Sequence, residues 1–428
     1  MNKKIGVVSL GCDKNRVDTE NMLYYLKDGA FEITNNYADA QIIIVNTCAF
    51  IESARAEAID TILEMAEYKK HGQCEKLIVT GCLPQKYKDQ LVEGLPEVDA
   101  FLGVKEYEKI AQVITGSENC SEKTDKRIIT TPQHYAYLRI ADGCDNHCTF
   151  CTIPSIRGKY KSLEFDKVLD QAKDLEKLGV KEIILVAQDV TSYGKDFNGK
   201  PCLVELLKEL SKFDFEWIRL MYCYPELVSD ELIEEIATNP KIAKYIDIPL
   251  QHVDDGILKL MNRRSRYSEI CSVIKKLREK CPDIAIRTTF MVGFPSETEI
   301  QFENLCAFAN EYKLDHVGVF AYSKEEDTPS AKIKGHLDDK IKLERVDILG
   351  EILEKNNEEN NLKLIGKTVK VLYEDIDYER NMFIGRTQYN APDIDSVVYF
   401  TGDFADVGEF YEVKITAVDG YDLIGEKV

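Results

Sequence analysis

Three cysteines lie close together in the segment RIADGCDNHCTFCTIPSIR, residues 139–157, directly after a short β-like run. Cys144, Cys148 and Cys151 have CxxxCxxC spacing. Iron–sulfur clusters and structural zinc sites usually take four protein ligands, so three thiolates on one tight loop leave a metal position open to a substrate or cofactor. The alternative is a zinc knuckle with His147 as the fourth ligand, although the paired CxxC spacings typical of zinc sites are absent.

A second set of cysteines is dispersed over the N-terminal part of the chain. Cys12, Cys48 and Cys82 each follow an apolar run that is typical of a β-strand, at residues 5–10, 42–45 and 77–79. Strands that are apolar on both faces and alternate with helices predict a parallel sheet, whose strand C-termini lie at one ligand-binding edge. We therefore predict a second metal site at that edge, against the alternative of three buried structural cysteines.

The elements that must position these thiols divide the chain into three parts. Residues 1–117 form the first α/β part, and a polar segment at 116–132 is the expected linker. Residues 130–362 alternate strands and helices in about six βα units, which predicts a doubly wound sheet or a partly open barrel with its chemistry at the C-terminal strand ends. Residues 365–428 contain about five short β-like runs, as in a small antiparallel barrel of the OB type. The predicted class is α/β with a C-terminal barrel.

Charge and cysteine content limit the partners and the compartment. The 428 residues carry a net charge of −20, which repels a phosphate backbone and attracts a basic protein. The 13 cysteines are too few for a disulfide scaffold and odd in number, which favours a reducing compartment. The apolar run at the N-terminus is too short for a signal peptide, and no stretch has the length of a membrane span. The sequence predicts a cytoplasmic protein with no membrane partner.

The cysteine spacing, with Phe150 directly before the last cysteine, resembles the radical S-adenosylmethionine superfamily. The whole chain is similar to the methylthiotransferases of that superfamily, which join an N-terminal three-cysteine domain, a radical core and a C-terminal barrel called TRAM. The resemblance implies S-adenosylmethionine as cofactor and two 4Fe-4S clusters. The radical cluster maps onto Cys144, Cys148 and Cys151, and the auxiliary cluster maps onto Cys12, Cys48 and Cys82.

The same resemblance implies the reaction. One S-adenosylmethionine is cleaved reductively to a 5′-deoxyadenosyl radical, which abstracts hydrogen from a C–H bond. Sulfur delivered at the auxiliary cluster and a methyl group from a second S-adenosylmethionine complete the methylthio group. A low-potential electron donor, such as a flavodoxin or a ferredoxin, is implied as a partner.

Five residues are candidates for contact with S-adenosylmethionine: Phe150, Arg157, Gln188, Gly293 and Pro295. Gly293 and Pro295, in MVGFPSE, resemble the cofactor-contacting turn of the family, although a plain strand-to-helix turn explains them equally well. Gln188 follows a predicted strand end. Arg157 either holds the cofactor carboxylate or caps the cysteine loop. The sequence assigns no catalytic acid or base.

Shorter motifs indicate the branch of the family that modifies an aspartate of ribosomal protein S-twelve. They are SLGCDKNRVDTE, QHVDDGILKLMNR, YSKEEDTPSA and GRTQYNAPDID. The branch that modifies tRNA tends to have a GCQMN-like first motif and Ser in place of His252. Asp13 departs from the ribosomal-protein pattern, in which proline is more frequent, and this bears on loop shape.

The charge of the last part supports a protein substrate. Residues 366–428 contain six basic and thirteen acidic residues, a net charge of −7. A barrel that grips RNA needs a positive groove, so this one fits the basic protein S-twelve better, with RNA contact secondary. We expect Asp393, Asp395, Asp403 and Asp406 on the docking face. Two alternatives are methylthiolation of a tRNA adenosine and a non-catalytic iron–sulfur carrier.

Overall fold

The structure is a computed structural model that describes residues 3–27, 31–116 and 126–428. Most of the predicted linker, residues 117–125 with Cys120, lies outside the described residues. Over the described ranges, the chain forms two large parallel sheets flanked by helices and a closed β-barrel. The predicted α/β class with a C-terminal barrel is therefore confirmed.

The first sheet contains five parallel strands within the described parts of residues 3–116. They are β1 Lys3–Ser9, β2 Phe31–Thr34, β3 Ile42–Thr47, β4 Lys76–Gly81 and β5 Ala100–Gly103, in the spatial order β2-β1-β3-β4-β5. The helices are α1 Asp13–Leu26, α2 Glu52–His71, α3 Cys82–Gly94 and α4 Ile110–Thr115. Because β1, β3 and β4 are neighbours, their C-termini lie side by side. The edge strands β2 and β5 were not predicted, since each has only four residues.

The second sheet holds six parallel strands within residues 126–428, all of them described. They are β6 Tyr135–Arg139, β9 Glu182–Val186, β10 Trp217–Leu220, β11 Ile242–Asp247, β12 Ala285–Val292 and β13 His316–Ala321. A small antiparallel pair, β7 Ala141–Asp142 and β8 Lys161–Ser162, flanks the cysteine loop. The strands of the large sheet pair in chain order. A doubly wound sheet reverses its strand order, so this arrangement is a partial barrel.

Helices cover the outer face of this partial barrel. They are α5 Ile153–Arg157, α6 Phe165–Lys177, α7 Lys195–Asn198, α8 Leu203–Leu210, α9 Asp230–Thr238, α10 Asp255–Leu260, α11 Tyr267–Lys280, α12 Glu299–Tyr312 and α13 Asp339–Leu362. The inner face is where the three parts of the chain meet. There Tyr137 and Ile184 form a buried cluster with Val17 of α1 and Ala391 of the C-terminal part.

The C-terminal barrel has the strands β14 Thr368–Asp377, β15 Met382–Thr387, β16 Val398–Thr401, β17 Phe410–Asp419 and β18 Asp422–Lys427. It closes in the order β14-β15-β16-β18-β17, with β16 and β18 parallel and the other pairs antiparallel. Its core includes Val371, Val398 and Phe400. Closure satisfies the backbone of every strand and leaves no free sheet edge.

A buried ionic network attaches the barrel to the core. Arg386 of β15 donates from Nη2 to Glu182 of β9 at 2.8 Å and to Glu374 of β14 at 2.7 Å. The other oxygen of Glu182 accepts from Nε of Arg219 at 2.6 Å. Each buried charge therefore has a partner of opposite sign, which offsets the cost of removing it from water. The network fixes the barrel against the N-terminal ends of the core strands.

No helix in residues 3–27, 31–116 or 126–428 is both long and apolar enough to cross a membrane.

Candidate metal centres

The clustered cysteines occupy a loop between β7 and α5. Cys144 and Cys148 are buried and Cys151 is half-buried. The backbone N–H of Cys144 donates to Gly158 at 3.1 Å, which closes the loop. Gly143 has φ +76°, and a Cβ there would lie 2.2 Å from the carbonyl oxygen of Lys159. Only glycine fits this position, because both its conformation and the space exclude a side chain.

Polar groups surround the sulfurs of this loop. Arg263 donates from Nη1 to Cys148 Sγ at 3.8 Å and lies 4.3 Å above the ring of Tyr224. The backbone N–H of Ile153 donates to Cys151 Sγ at 3.4 Å. Burial raises the pKa of Cys144 to about 11 and that of Cys151 to about 12. The cation and the amide favour the thiolate, which is the form that binds metal.

The dispersed cysteines meet at the C-terminal edge of the first sheet. Cys12 precedes α1, Cys82 begins α3, and Cys48 follows β3. Cys12 is exposed, Cys48 half-buried and Cys82 buried. The thiol of Cys82 interacts electrostatically with both of the others, and burial raises its pKa to about 12. Two of the three lie at helix N-termini, where the partial positive charge stabilises an anionic sulfur.

Asn15 of α1 ties these three segments together. Its Nδ2 donates to the carbonyls of Leu10 at 3.1 Å and Thr47 at 2.9 Å, one in each of two cysteine-bearing segments. Its Oδ1 lies 3.5 Å from Cys82 Sγ, which donates to it. Gly11 allows the close approach, since a Cβ there would lie 2.7 Å from Cys48 Cβ.

The donor chemistry of both sets fits an iron–sulfur cluster better than a single metal ion. Among the residues that the structure describes, no three His, Cys, Asp or Glu side chains are close enough to hold a single ion. A cluster spreads its cysteine sulfurs further apart than one ion does. Each set supplies three thiols and has one buried arginine nearby, Arg263 or Arg157, to offset negative charge.

The predicted cofactor residues lie around the clustered cysteines. Phe150 packs edge-on against Phe294, with ring centroids 6.5 Å apart, in the buried turn that also holds Gly293 and Pro295. Gln188 follows β9 and donates to Asp142 at 3.3 Å. Its buried Oε1 has no hydrogen-bond partner within the described part of the chain. A buried acceptor without a partner is costly, so this oxygen marks a place where a ligand donor fits.

Arg157 differs from the other predicted contacts. Its side chain is 2% exposed and bridges two parts of the chain. Nη2 donates to Asn15 Oδ1 at 2.7 Å and to Asp18 Oδ2 at 2.9 Å, and Nη1 donates to Asp142 at 3.3 Å. The guanidinium therefore connects the loop of the clustered cysteines with α1.

A cavity of about 420 Å³ lies beside Cys12, where the three parts of the chain meet. Its wall includes Arg16 from α1, Tyr137 and Tyr222 from the core, and Asp393 from the barrel. Asp393 has φ +67°, a strained conformation for a residue other than glycine, and such strain often accompanies functional positions. The volume is within the range of ligand pockets.

Three family profiles match the chain. They are described as "Radical SAM superfamily" at residues 138–309, "Uncharacterized protein family UPF0004" at 4–103 and "TRAM domain" at 365–428. The "Ribosomal protein uS12 methylthiotransferase RimO" of Clostridium botulinum (strain Eklund 17B / Type B) is 51% identical over 99% of this chain and 97% of its own. That of Clostridioides difficile (strain 630) is 45% identical, covering 99% of this chain and 98% of its own. The chain belongs to the ribosomal protein uS12 methylthiotransferase RimO family. The predicted resemblance to methylthiotransferases is confirmed.

Solved structures support the fold of this RimO family member. The radical S-adenosylmethionine methyltransferase TsrM from Kitasatospora setae, with cobalamin and a [4Fe-4S] cluster bound, has a TM-score of 0.58 at 13% identity and covers 77% of each chain. The cobalamin-dependent S-adenosylmethionine radical enzyme OxsB has a TM-score of 0.51 at 14% identity, over 80% of this chain and 56% of its own. At these identities the likeness concerns the fold alone.

Several residues of the RimO family member escaped sequence reasoning. Arg263 and Asn15 stand inside motifs that we used only to recognise the branch, and Tyr222 and Tyr224 stand in the short MYCYPE stretch after β10. Their position inside or next to recognised motifs was the available signal. Tyr222 contacts Asp13 and Arg263 contacts Cys148 across more than a hundred residues of sequence, which no local spacing reveals.

The predicted docking face needs one correction. Asp403 and Asp406 are exposed, and the Asp393 side chain is 57% exposed. Asp395 is not at the surface: its side chain is 2% exposed, it pairs with Arg287 at 3.3 Å, and it accepts from Tyr245 at 2.8 Å. Burial between these partners removes it from any docking surface.

Proposed function

We propose that this protein is a radical S-adenosylmethionine enzyme that adds a methylthio group to the β-carbon of an aspartate in ribosomal protein uS12. Two 4Fe-4S clusters and S-adenosylmethionine are its cofactors in this proposal. The observation that carries it is the link between two three-cysteine sets. Arg157, just after the clustered cysteines, binds Asn15, just after Cys12. A non-catalytic carrier needs neither an open three-thiol site nor a six-strand βα domain around it.

The two sets have different tasks in the proposed reaction. When bound, the cofactors supply the radical that removes hydrogen from the substrate carbon and the sulfur that takes its place. The residues of the chain hold and shield these groups. Cys144, Cys148 and Cys151 would hold a cluster with one iron free to bind S-adenosylmethionine. Gln188 would offer that cofactor its buried Oε1, which has no hydrogen-bond partner among the described residues, and Phe150, Gly293 and Pro295 would line the same site.

The cavity beside Cys12 is the proposed entry for the substrate. Cys12 is the exposed member of its set, so a protein segment in the cavity reaches the auxiliary site first. Arg16 supplies a positive charge to the cavity wall, and Asp393 supplies a negative one. A net charge of −20 favours approach of a basic ribosomal protein. Unpaired cysteines and a ribosomal substrate favour the cytoplasm, and a flavodoxin or ferredoxin is the proposed electron donor.

The direct test supplies the reconstituted protein with dithionite, S-adenosylmethionine and either purified uS12 or bulk tRNA. We expect 5′-deoxyadenosine and a methylthio group on uS12, both measured by mass spectrometry, with tRNA unchanged. Modified tRNA with unmodified uS12 would establish the tRNA alternative. If protein with intact clusters forms no 5′-deoxyadenosine, the non-catalytic iron–sulfur carrier becomes the favoured function.

Docking has a separate test on the exposed barrel carboxylates. Changing Asp393, Asp403 and Asp406 together to Asn should weaken uS12 binding by roughly three- to tenfold at low salt and less at moderate salt, because exposed charge pairs are weak and screened. The matched control removes three exposed carboxylates from core helices through Asp170→Asn, Glu303→Gln and Glu351→Gln. Equal effects of both triple variants would show that only net charge matters.

A further inference from the structure

Arg157 carries an inference that rests on the proposed function and concerns the auxiliary site. Its chain position, shortly after Cys151, suggested a contact with the cofactor carboxylate. In the structure its guanidinium donates to Asn15, Asp18 and Asp142. Asp142 shares its Oδ1 with Gln188, and Asp18 and Asn15 belong to the N-terminal part. Nη2 of the guanidinium is thus directed to the N-terminal part, whereas Nη1 is directed to Asp142 beside the cysteine loop.

Arg157 contacts the auxiliary set indirectly, through Asn15. One amide side chain contacts the segment before Cys12, the segment before Cys48 and the sulfur of Cys82. Arg157 fixes the orientation of that amide, because it donates to Oδ1 and leaves Nδ2 to the two carbonyls. A guanidinium that moved would release three cysteine-bearing segments together.

The charge of Arg157 also acts on these sulfurs. Arg157 Nη2 and Cys82 Sγ donate to the same oxygen, Asn15 Oδ1, at 2.7 Å and 3.5 Å, which places the guanidinium cation close to that sulfur. In the clustered set, Arg263 is the cation close to the sulfurs, since it donates to Cys148. Each three-cysteine set therefore has a buried arginine of its own.

We propose that Arg157 is a positioning residue of the auxiliary site. It holds Asn15 in the orientation that gathers Cys12, Cys48 and Cys82, and its positive charge stabilises the reduced, more negative state of a cluster bound there. Because it follows the radical cysteine loop, it also fixes the distance between the two sites. S-adenosylmethionine binding does not depend on it.

Loss of this arginine leaves each of its two carboxylate partners with another hydrogen-bond partner. Asp18 keeps a second partner, because Arg139 also donates to it, and Asp142 keeps Gln188. Arg139 is the matched control, since it pairs with the same carboxylate while its main electrostatic partners are Asp18, Asp142 and Tyr107 rather than thiols. Arg157→Gln and Arg139→Gln therefore remove the same charge near the same group at different distances from the sulfurs.

The experiment compares the wild-type holoenzyme with Arg157→Gln, Arg157→Lys and Arg139→Gln. The midpoint potential of each cluster is followed by EPR-monitored titration, and S-adenosylmethionine affinity by equilibrium dialysis. In Arg157→Gln the auxiliary potential should fall, cofactor affinity should stay within about twofold, and methylthio product should be lost while 5′-deoxyadenosine still forms. Arg157→Lys, which keeps the charge, should restore the potential, and Arg139→Gln should leave it unchanged.

Two results would overturn the proposal. Cofactor affinity reduced tenfold or more with an unchanged auxiliary potential would assign Arg157 to the cofactor carboxylate. If neither the cofactor affinity nor the auxiliary midpoint potential changes, Arg157 has only a structural role. If Arg157→Gln does not fold, Asn15→Asp places a negative charge at the same point and should lower the same potential; an unchanged potential there counts against the proposal. Failure of the proposed function is seen separately, as a wild-type protein without a second cluster or without product.

Discussion

The two cysteine sets differ in how the chain positions them. The clustered set lies on one loop, closed by its own backbone and by Gly143, and two of its three thiols are buried. The dispersed set is gathered from three strand ends by Asn15, and Cys12 is exposed beside a cavity. A loop closed on itself suits a cofactor that must be shielded from water. A set assembled at a sheet edge suits a site that must also admit a large substrate.

The largest effect that separates the two sites comes from removing the clustered thiols. Replacing Cys144, Cys148 and Cys151 by Ala should abolish formation of 5′-deoxyadenosine and reduce iron from about eight to about four per chain. Iron and sulfide analysis with product chromatography measures both. Loss of all iron, or zinc in the native protein, would contradict two independent sites.

The complementary variant replaces Cys12, Cys48 and Cys82 by Ala. Cleavage of S-adenosylmethionine should continue, because the clustered loop has its own ligands, while the methylthio product on uS12 should disappear. Mass spectrometry of uS12 and quantification of 5′-deoxyadenosine are the readouts. A variant that keeps four irons yet cannot cleave the cofactor would show that the two sites work as one.

Two glycines give a finer contrast, since each permits one set to form. Gly143→Ala places Cβ against a backbone oxygen at φ +76°, so we expect a loss of about 1–3 kcal/mol in unfolding free energy and weak cofactor cleavage. Gly11→Ala, at φ +85° against Cys48, should reduce product formation and spare cleavage. Gly350→Ala is the control, because it lies in α13 with open space around its Cβ, and it should be neutral or stabilising. If Gly143→Ala and Gly11→Ala each lose cofactor cleavage and product formation to the same extent, the two glycines do not support separate sites.

The smallest effect on activity concerns the barrel part, which contributes Asp393 to the wall of the cavity beside Cys12. Burial raises the pKa of Glu374, but Arg386 and His134 outweigh it and bring the pKa down to about 2. A depressed pKa means stabilisation that is present above about pH 4.5 and is lost as pH falls toward 2, a contribution of about 3 kcal/mol. Denaturant unfolding of the metal-free protein from pH 6 to pH 3 should show it, and Glu374→Gln should flatten that slope. An unchanged slope would place the acid sensitivity elsewhere.

Motif spacing and strand pattern in the sequence predicted the two cysteine sets. CxxxCxxC identified the clustered set, and three strand ends in a parallel sheet predicted that Cys12, Cys48 and Cys82 would meet. The partners Arg263, Asn15 and Arg157 could not be predicted in the same way. Their contacts depend on how the N-terminal sheet, the partial barrel and the C-terminal barrel dock, and docking leaves no periodicity in the sequence.

The same limit explains the misplaced docking carboxylate. Asp393 and Asp395 are two residues apart in one acidic motif, and composition treats them alike. Asp395 is buried because Arg287 of β12 and Tyr245 of β11 face it across the interface. Sequence patterns state which residues carry charge, whereas their exposure is decided by elements more than a hundred residues away.

The order of strand pairing has a consequence for synthesis on the ribosome. In the six-stranded sheet of the core, every strand after β6 pairs with one already made, so the sheet grows as the chain emerges, at roughly 5–20 residues per second. The barrel is different, because β14 pairs with β17 near the end of the chain and stays open until that strand arrives. A nascent chain that stops before β17 would already possess both cysteine sets, Arg157 and the cavity-lining residues 391–394, but its barrel would still be open. Folding around both cysteine sets can therefore precede closure of the barrel, which waits for the last residues translated.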